Sequence, residues 1–457
     1  MHYVSTDSKT PSTPGKFNFY LVRSIIVGAL GGLLFGFDTA VIAGTTHQLT
    51  QVFNLSPSQL GFTVSIALWG TVIGAMFSGI LGDKLGGRES LRILAAFYVI
   101  SALGCAVAWN WYALLFFRFI GGLGIGGSSV LGPVYIAEIA PARWRGLLVG
   151  SFQINVVVGI LVAYLSNYII GRFDLGINEW RWMLGVAAAP AALFFVMLFT
   201  IPRSVRWLVT KNRIPEAREV LGLLGSPDGA SELDDIIESI HVDGVAHSES
   251  LFQPKYLTPI FLAVTVAAFN QLAGINAILY YLNDIFGMAG FTSVAGYLNA
   301  VGIGAMNLVA TLFAMTIIDR VGRRTLLLIG GVGLTLCLGG IAAMFFTRSH
   351  FNLLPWVLVA YIGFFAISQG AVIWVYISEV FPNRVRSKGQ SLGSSTHWIM
   401  NAIISGLFPV LAARSAGLPF LLFAAMMALM FFVVLFTYPE TKGVTLEQMQ
   451  HKLGIEY

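Results

Sequence analysis

The sequence predicts an all-α polytopic membrane protein, with twelve transmembrane helices in two six-helix pseudo-repeats and short cytoplasmic helices between the halves. Three observations predict it. Of the 457 residues 56% are hydrophobic and only 11% charged, and the mean hydropathy is +0.77, which is more apolar surface than one water-soluble core buries. Apolar runs of about 20 residues, enough to cross ~30 Å of hydrocarbon, recur twelve times. Finally, Tyr135-Ile-Ala-Glu-Ile-Ala-Pro-Ala-Arg-Trp-Arg145 returns without gaps as Tyr376-Ile-Ser-Glu-Val-Phe-Pro-Asn-Arg-Val-Arg386, 376 − 135 = 241 residues later, with six of eleven positions identical.

In chain order, residues 1-20 form a polar tail rich in Ser, Thr and Pro, expected to be disordered. No short apolar core with a small-residue cleavage site precedes the first full span, so the tail does not read as a signal peptide. The N-terminal six-helix bundle occupies 21-200, with spans near 22-44, 59-81, 90-109, 112-137, 147-170 and 182-200. A polar linker follows at 201-253, where Pro215 to Leu224 and Ser231 to Ile240 carry helical periodicity and many charges. The C-terminal bundle fills 254-438, with spans near 256-287, 295-318, 325-346, 354-380, 388-412 and 417-438, and a cytoplasmic tail ends the chain at 439-457.

Orientation follows from the short loops. The side shared with the N-terminus carries eleven Lys and Arg (Lys84, Arg88, Arg92, Arg143, Arg145, Arg320, Arg323, Arg324, Arg384, Arg386, Lys388) and the opposite side four (Arg172, Arg181, Arg348, Arg414). The positive-inside rule then places both termini and the linker in the cytoplasm. This asymmetry accounts for the net charge of +5, and no basic patch suggests nucleic acid. Cys105 and Cys337 fall within spans and read as small buried hydrophobes. Gly122-Leu-Gly-Ile-Gly-Gly127 fits a dinucleotide fingerprint only formally, because no strand precedes it; close helix packing explains it, as it does Gly28, Gly32 and Gly36. The chain shows no phosphate-binding loop, His/Cys metal cluster or nucleophile elbow, so neither an enzyme nor a cofactor or metal is expected.

Two groups of polar residues interrupt the apolar spans. Phe269 to Tyr281 holds three amides and two phenols, and an unpaired amide in hydrocarbon costs roughly 4–8 kcal/mol, so the cluster is expected to face a protein-lined cavity. Gln271 and Asn276 are five residues apart, ~140° round a regular helix, and Gly274 between them points to a bend or break there. Asp38 and Arg118 are the charges set deepest in the first half, where each costs at least about 2.5–3.5 kcal/mol unless partnered.

The repeated loop motif, its looser companion (Gly82-Asp-Lys-Leu-Gly-Gly-Arg88 against Ile318-Asp-Arg-Val-Gly-Arg-Arg324), Pro439-Glu-Thr-Lys-Gly443 and Gln271-Leu-Ala-Gly-Ile-Asn276 together resemble the sugar porter family of the major facilitator superfamily, over roughly residues 20 to 445. The resemblance implies the major facilitator fold, with a monosaccharide bound near the bilayer midplane between the halves. Asp38 matches the family's protonatable aspartate and Arg118 its partner, which implies proton:monosaccharide symport by alternating access in a bacterial inner membrane. It implies substrate contacts at Gln153, Gln271, Asn276, Asn307 and Trp374, with Phe35, Tyr280, Phe365, Trp398 and Asn401 as walls or secondary contacts. Amides offer donor and acceptor to sugar hydroxyls while aromatic faces cover ring C–H surfaces.

Cytoplasmic charge networks are implied at Asp83, Arg88, Glu138 and Arg145, and at Asp319, Arg323, Arg324, Glu379, Arg386 and Glu440, latching the halves when the protein opens outward. The chain departs from the family pattern at several positions. Gly87 replaces an arginine and Arg203 a glutamate, which weakens the first network and favours the inward-facing state. Asn270 replaces a glutamine, His397 an amide next to Trp398, and Ala371 a proline, so span ten is expected to bend less readily. The expected partners are a monosaccharide, protons and the lipid bilayer, with a single chain as the working unit. A facilitative uniporter and a transporter-like sugar sensor are the alternatives; Asp38 with Arg118 argues against the first, and the short tails against the second.

Overall fold

The computed structural model describes residues 18–141, 144–225, 229–245, 249–382, 384–444 and 446–455. The expected disordered tail, up to residue 17, and Arg143 lie outside them. Among the described residues twelve helices are long and apolar enough to cross a membrane. Spans one to six are Phe19–Gly44, Pro57–Leu85, Gly87–Ala106, Trp111–Ile139, Arg145–Gly171 and Gly176–Met197. Spans seven to twelve are Pro254–Tyr280, Ser293–Val321, Arg323–Thr347, Phe351–Val380, Arg386–Arg414 and Leu418–Thr437. Among the described residues there is no strand.

Several boundaries have local causes. Ser56 opens span two with a reciprocal cap: its hydroxyl accepts from Gln59 N at 3.3 Å while Gln59 Oε1 accepts from Ser56 N at 2.9 Å. Asn110 caps span four, accepting from Ala113 N at 2.8 Å. The glycine run in span four is packing: a Cβ on Gly122 would run into the Ala67 carbonyl of span two, and one on Gly126 into that of Thr71. Between the bundles lie helices Val205–Thr210, Ile214–Leu224 and Gly229–Val245; the first, capped by Ser204, is too short for the hydrophobic period to reveal.

Span seven is broken where the amide spacing predicts. One helix ends at Leu272 and another runs from Ile275 to Tyr280, with Gly274 between them at φ +80°. A short helix, Leu282–Met288, lies beyond the crossing, which ends at Tyr280, sooner than the expected 287. Backbone groups freed near the break must find partners where water is absent. Buried tyrosines supply them: Tyr361 donates to Ala273 O at 2.9 Å and Tyr164 to Leu279 O at 2.9 Å. Span ten also bends, contrary to the expectation from Ala371: residues Ala366–Gly370 form a π turn, which kinks a helix without proline.

With twelve crossings the start of span one and the end of span twelve lie on one face, here called proximal; the opposite face is distal. Hydrogen bonds between the two bundles gather distally. Asn283 donates to Ala43 O at 3.0 Å, and Tyr297 to Gly44 O at 3.2 Å and to Glu179 Oε1 at 3.1 Å. Span two meets span eleven at Gly61 and Gly406, where a Cβ on Gly61 would overlap the Gly406 carbonyl. The distal face is closed.

Candidate functional site

The break at Gly274 turns the two halves of span seven so that three amides meet. Asn276 Nδ2 donates to Gln271 Oε1 at 3.0 Å, Gln271 Nε2 donates to Asn270 Oδ1 at 3.0 Å, and Asn270 Nδ2 reaches Gln369 O in the π turn at 3.2 Å. Gln271 Nε2 also lies 3.2 Å from the His397 ring nitrogens. Aromatic rings wall this amide line. His397 packs against Trp374 at 5.1 Å and edge-on to Trp398 at 5.2 Å between centroids, and Trp398 meets Phe35 of span one at 5.5 Å. Farther along, Asn401 donates to the Tyr280 hydroxyl at 3.3 Å and accepts from Ser405 at 3.0 Å.

Asp38 and Arg118 do pair, Nη1 to Oδ1 at 3.4 Å, longer than the 2.7–2.9 Å of a tight charge-assisted bond. Arg118 is 4% exposed, and its Nε has no protein partner. Phe35, Thr39, Tyr280 and Trp398 border one small cavity together with Asp38 and Arg118. The ion pair therefore opens onto the same rings that wall the amides.

Other expected contacts are not drawn in. Gln153 is exposed, and neither it nor Asn307 makes a side-chain hydrogen bond among the described residues. Phe365 is half-buried just before the π turn, its ring beside Gly370. Gln369, buried with its Oε1 unpartnered, was missed, although a lone glutamine in the apolar run of span ten is a signal for it.

The charge networks differ from expectation in the first half. Asp83 and Arg145 are exposed, and among the described residues Glu138 and Arg145 do not pair; Glu138 lies by Ser204 and Arg206. The hub is Glu89, engaged by Arg88 at 2.6 Å, Arg92 at 2.6 Å and Arg203 at 3.2 Å, while Arg203 also reaches Glu216 at 3.2 Å. In the second half Arg323 pairs with Asp319 and Glu379, each at 2.9 Å, and Glu440 accepts from the backbone N of Arg323 at 2.9 Å and of Arg324 at 3.1 Å. Arg386 does not join Glu379: its Nε and Nη2 are buried without partners. These ion pairs stay within their own halves, as a distally closed molecule allows.

The model of the family described as sugar (and other) transporter matches residues 24–453. The chain belongs to the sugar transporter family. It is 34% identical to the arabinose-proton symporter of Bacillus subtilis, covering 96% of each chain, and 35% identical to the glucose transporter GlcP of Staphylococcus epidermidis, covering 96% of this chain and 98% of that one. Among solved structures it is similar to the inward-open conformation of the xylose transporter XylE from E. coli, with a TM-score of 0.85 at 32% identity over 95% of this chain and all of that one. Against the proton:xylose symporter XylE bound to 6-bromo-6-deoxy-D-glucose the TM-score is 0.75. The transporter thus carries the major facilitator fold.

Proposed function

We propose that this transporter is a proton:monosaccharide symporter working by alternating access, with Asp38 as the proton carrier and the amides of span seven as the sugar site. The observation that carries this reading is the cavity in which Asp38 and Arg118 share walls with Phe35, Tyr280 and Trp398. A change of charge on Asp38 is felt by the residues against which a sugar ring would stack.

The chemistry follows from the geometry. Gln271, Asn276 and Asn270 bond one another, and each such bond is exchangeable for one to a sugar hydroxyl at little net cost. His397 adds a polar ring, and Trp374 and Trp398 add faces for ring C–H surfaces. When Asp38 takes up a proton, its hold on Arg118, already long at 3.4 Å, is lost, and span one is freed to move against span four. The loop charges support cytoplasmic termini, so the distal face is the outer one. One chain contains both the ion pair and the amide site, which supports a monomer as the working unit.

The test is Asp38→Asn in proteoliposomes under an imposed proton gradient, across a panel of hexoses and pentoses. We expect concentrative uptake to disappear while sugar exchange at equal concentrations persists. Undiminished accumulation by the variant would leave a different coupling group or a uniporter.

A further inference from the structure

A half-buried acidic side chain without a counterion, one of its carboxyl oxygens sealed from water, lies at the outer contact between the halves. Asp284, on the short helix Leu282–Met288 beyond span seven, has its Oδ2 buried and unpartnered. The Thr46 hydroxyl of the first half lies against this carboxyl. On either side the same contact is stitched by Asn283 to Ala43 O and by Tyr297 to Gly44 O. Three side chains of the second half therefore seat on the hairpin Ala43 to Thr46 of the first. The titratable groups around Asp284 are Tyr281 on its own side, Tyr297 from span eight and, behind Tyr297, Glu179 from span six; His47 is exposed on the helix after Thr46. None is a cation poised to hold a carboxylate, and Asp284 has no ion pair among the described residues.

We propose that Asp284 is a second proton-linked carboxyl of this transporter, taking a proton from the outer solution as the outer gate closes over it and returning it when the gate opens. The proposal rests on the alternating-access reading, in which opening outward parts Thr46 from Asp284 and lets water reach the carboxyl. A carboxyl with one oxygen sealed from water and a hydroxyl for company is carried more cheaply as the neutral acid, and a fully hydrated one as the anion. Burial pushes the Asp284 carboxyl up from 3.8 to about 6. The sign follows: the closed state binds the proton more tightly, so closure is favoured below pH about 6 and that advantage is lost as pH rises through it. Because the proton enters and leaves on the outer side, Asp284 biases the facing equilibrium without adding to the number of protons carried inward.

The test places spin labels at exposed outer positions, Gln51→Cys and Val294→Cys, in the full-length protein in nanodiscs with Cys105 and Cys337 replaced by alanine, and follows the label separation between pH 7.5 and 5. The closed-to-open ratio should rise about tenfold across that interval by proton linkage. Asp284→Asn, a neutral mimic, should stay closed at both values and lose the response. Thr46→Val, which removes a hydroxyl bond available to the anion, should move the midpoint to higher pH and covers the case in which Asp284→Asn fails to fold. The Asp38→Asn background should keep the Asp284-dependent response. An unchanged tenfold response in Asp284→Asn, or an unmoved midpoint in Thr46→Val, overturns the proposal. A single separation at every pH in all variants would instead overturn alternating access itself.

Discussion

Replacing Gly274 by alanine tests whether the break in span seven builds the amide site. Gly274 sits at φ +80°, a left-handed conformation that costs an L-residue roughly 1–3 kcal/mol, and its new Cβ would overlap the Phe423 ring of span twelve. Overpacking of that kind adds about 1–3 kcal/mol, so the whole perturbation is worth roughly 2–6 kcal/mol. A perturbation of that size puts folding at risk as well as sugar affinity. The assay is a double-mutant cycle with Phe423→Ala, read by unfolding of the purified protein and by sugar-quenched tryptophan fluorescence. Removing the ring should return the overpacking part as a coupling of about 1–3 kcal/mol and leave the backbone strain. Wild-type stability with wild-type affinity in Gly274→Ala would refute both the break and the site built on it.

Two further substitutions read the surroundings of that site. Tyr361→Phe strands the Ala273 carbonyl beside the break and should cost about 1–3 kcal/mol in thermal unfolding, with sugar affinity falling as the amides lose their register. Glu89→Gln leaves Arg88, Arg92 and Arg203 facing one another and should cost about 1–3 kcal/mol, less in high salt; salt-independent destabilisation would speak against an electrostatic role.

Most of the fold is legible in the sequence because hydrocarbon imposes one rule, a run of about 20 apolar residues for each crossing. The ends shift where a cap decides them, as Ser56 and Asn110 do. The break at Gly274 is legible from the angle between Gln271 and Asn276. The bend in span ten is not: a π turn inserts one residue into the helical ladder with no proline to announce it. The candidate site was legible where its members share one span, as in the line of Asn270, Gln271 and Asn276; His397, on span eleven, was singled out only by the family resemblance. The surroundings of Asp284 were not legible, because the Thr46 hydroxyl against its carboxyl comes from the other half of the chain.

The first charge network shows why pairings resist prediction while residue types do not. With glycine at position 87 and arginine at 203, the sequence reads as a network that has lost an attractive pair. The structure instead turns Arg203, at the start of the linker, toward Glu89 at the start of span three and toward Glu216 on a linker helix, so the substituted cation ties the linker to the first half. Ion pairs that are partly exposed are individually weak, and a cluster confined to one half gives no preference between conformations in which that half moves as a body. The choice of facing then falls to groups whose surroundings differ between the two states. On the proposed reading those are the contacts that Asn283, Asp284 and Tyr297 make across the distal face.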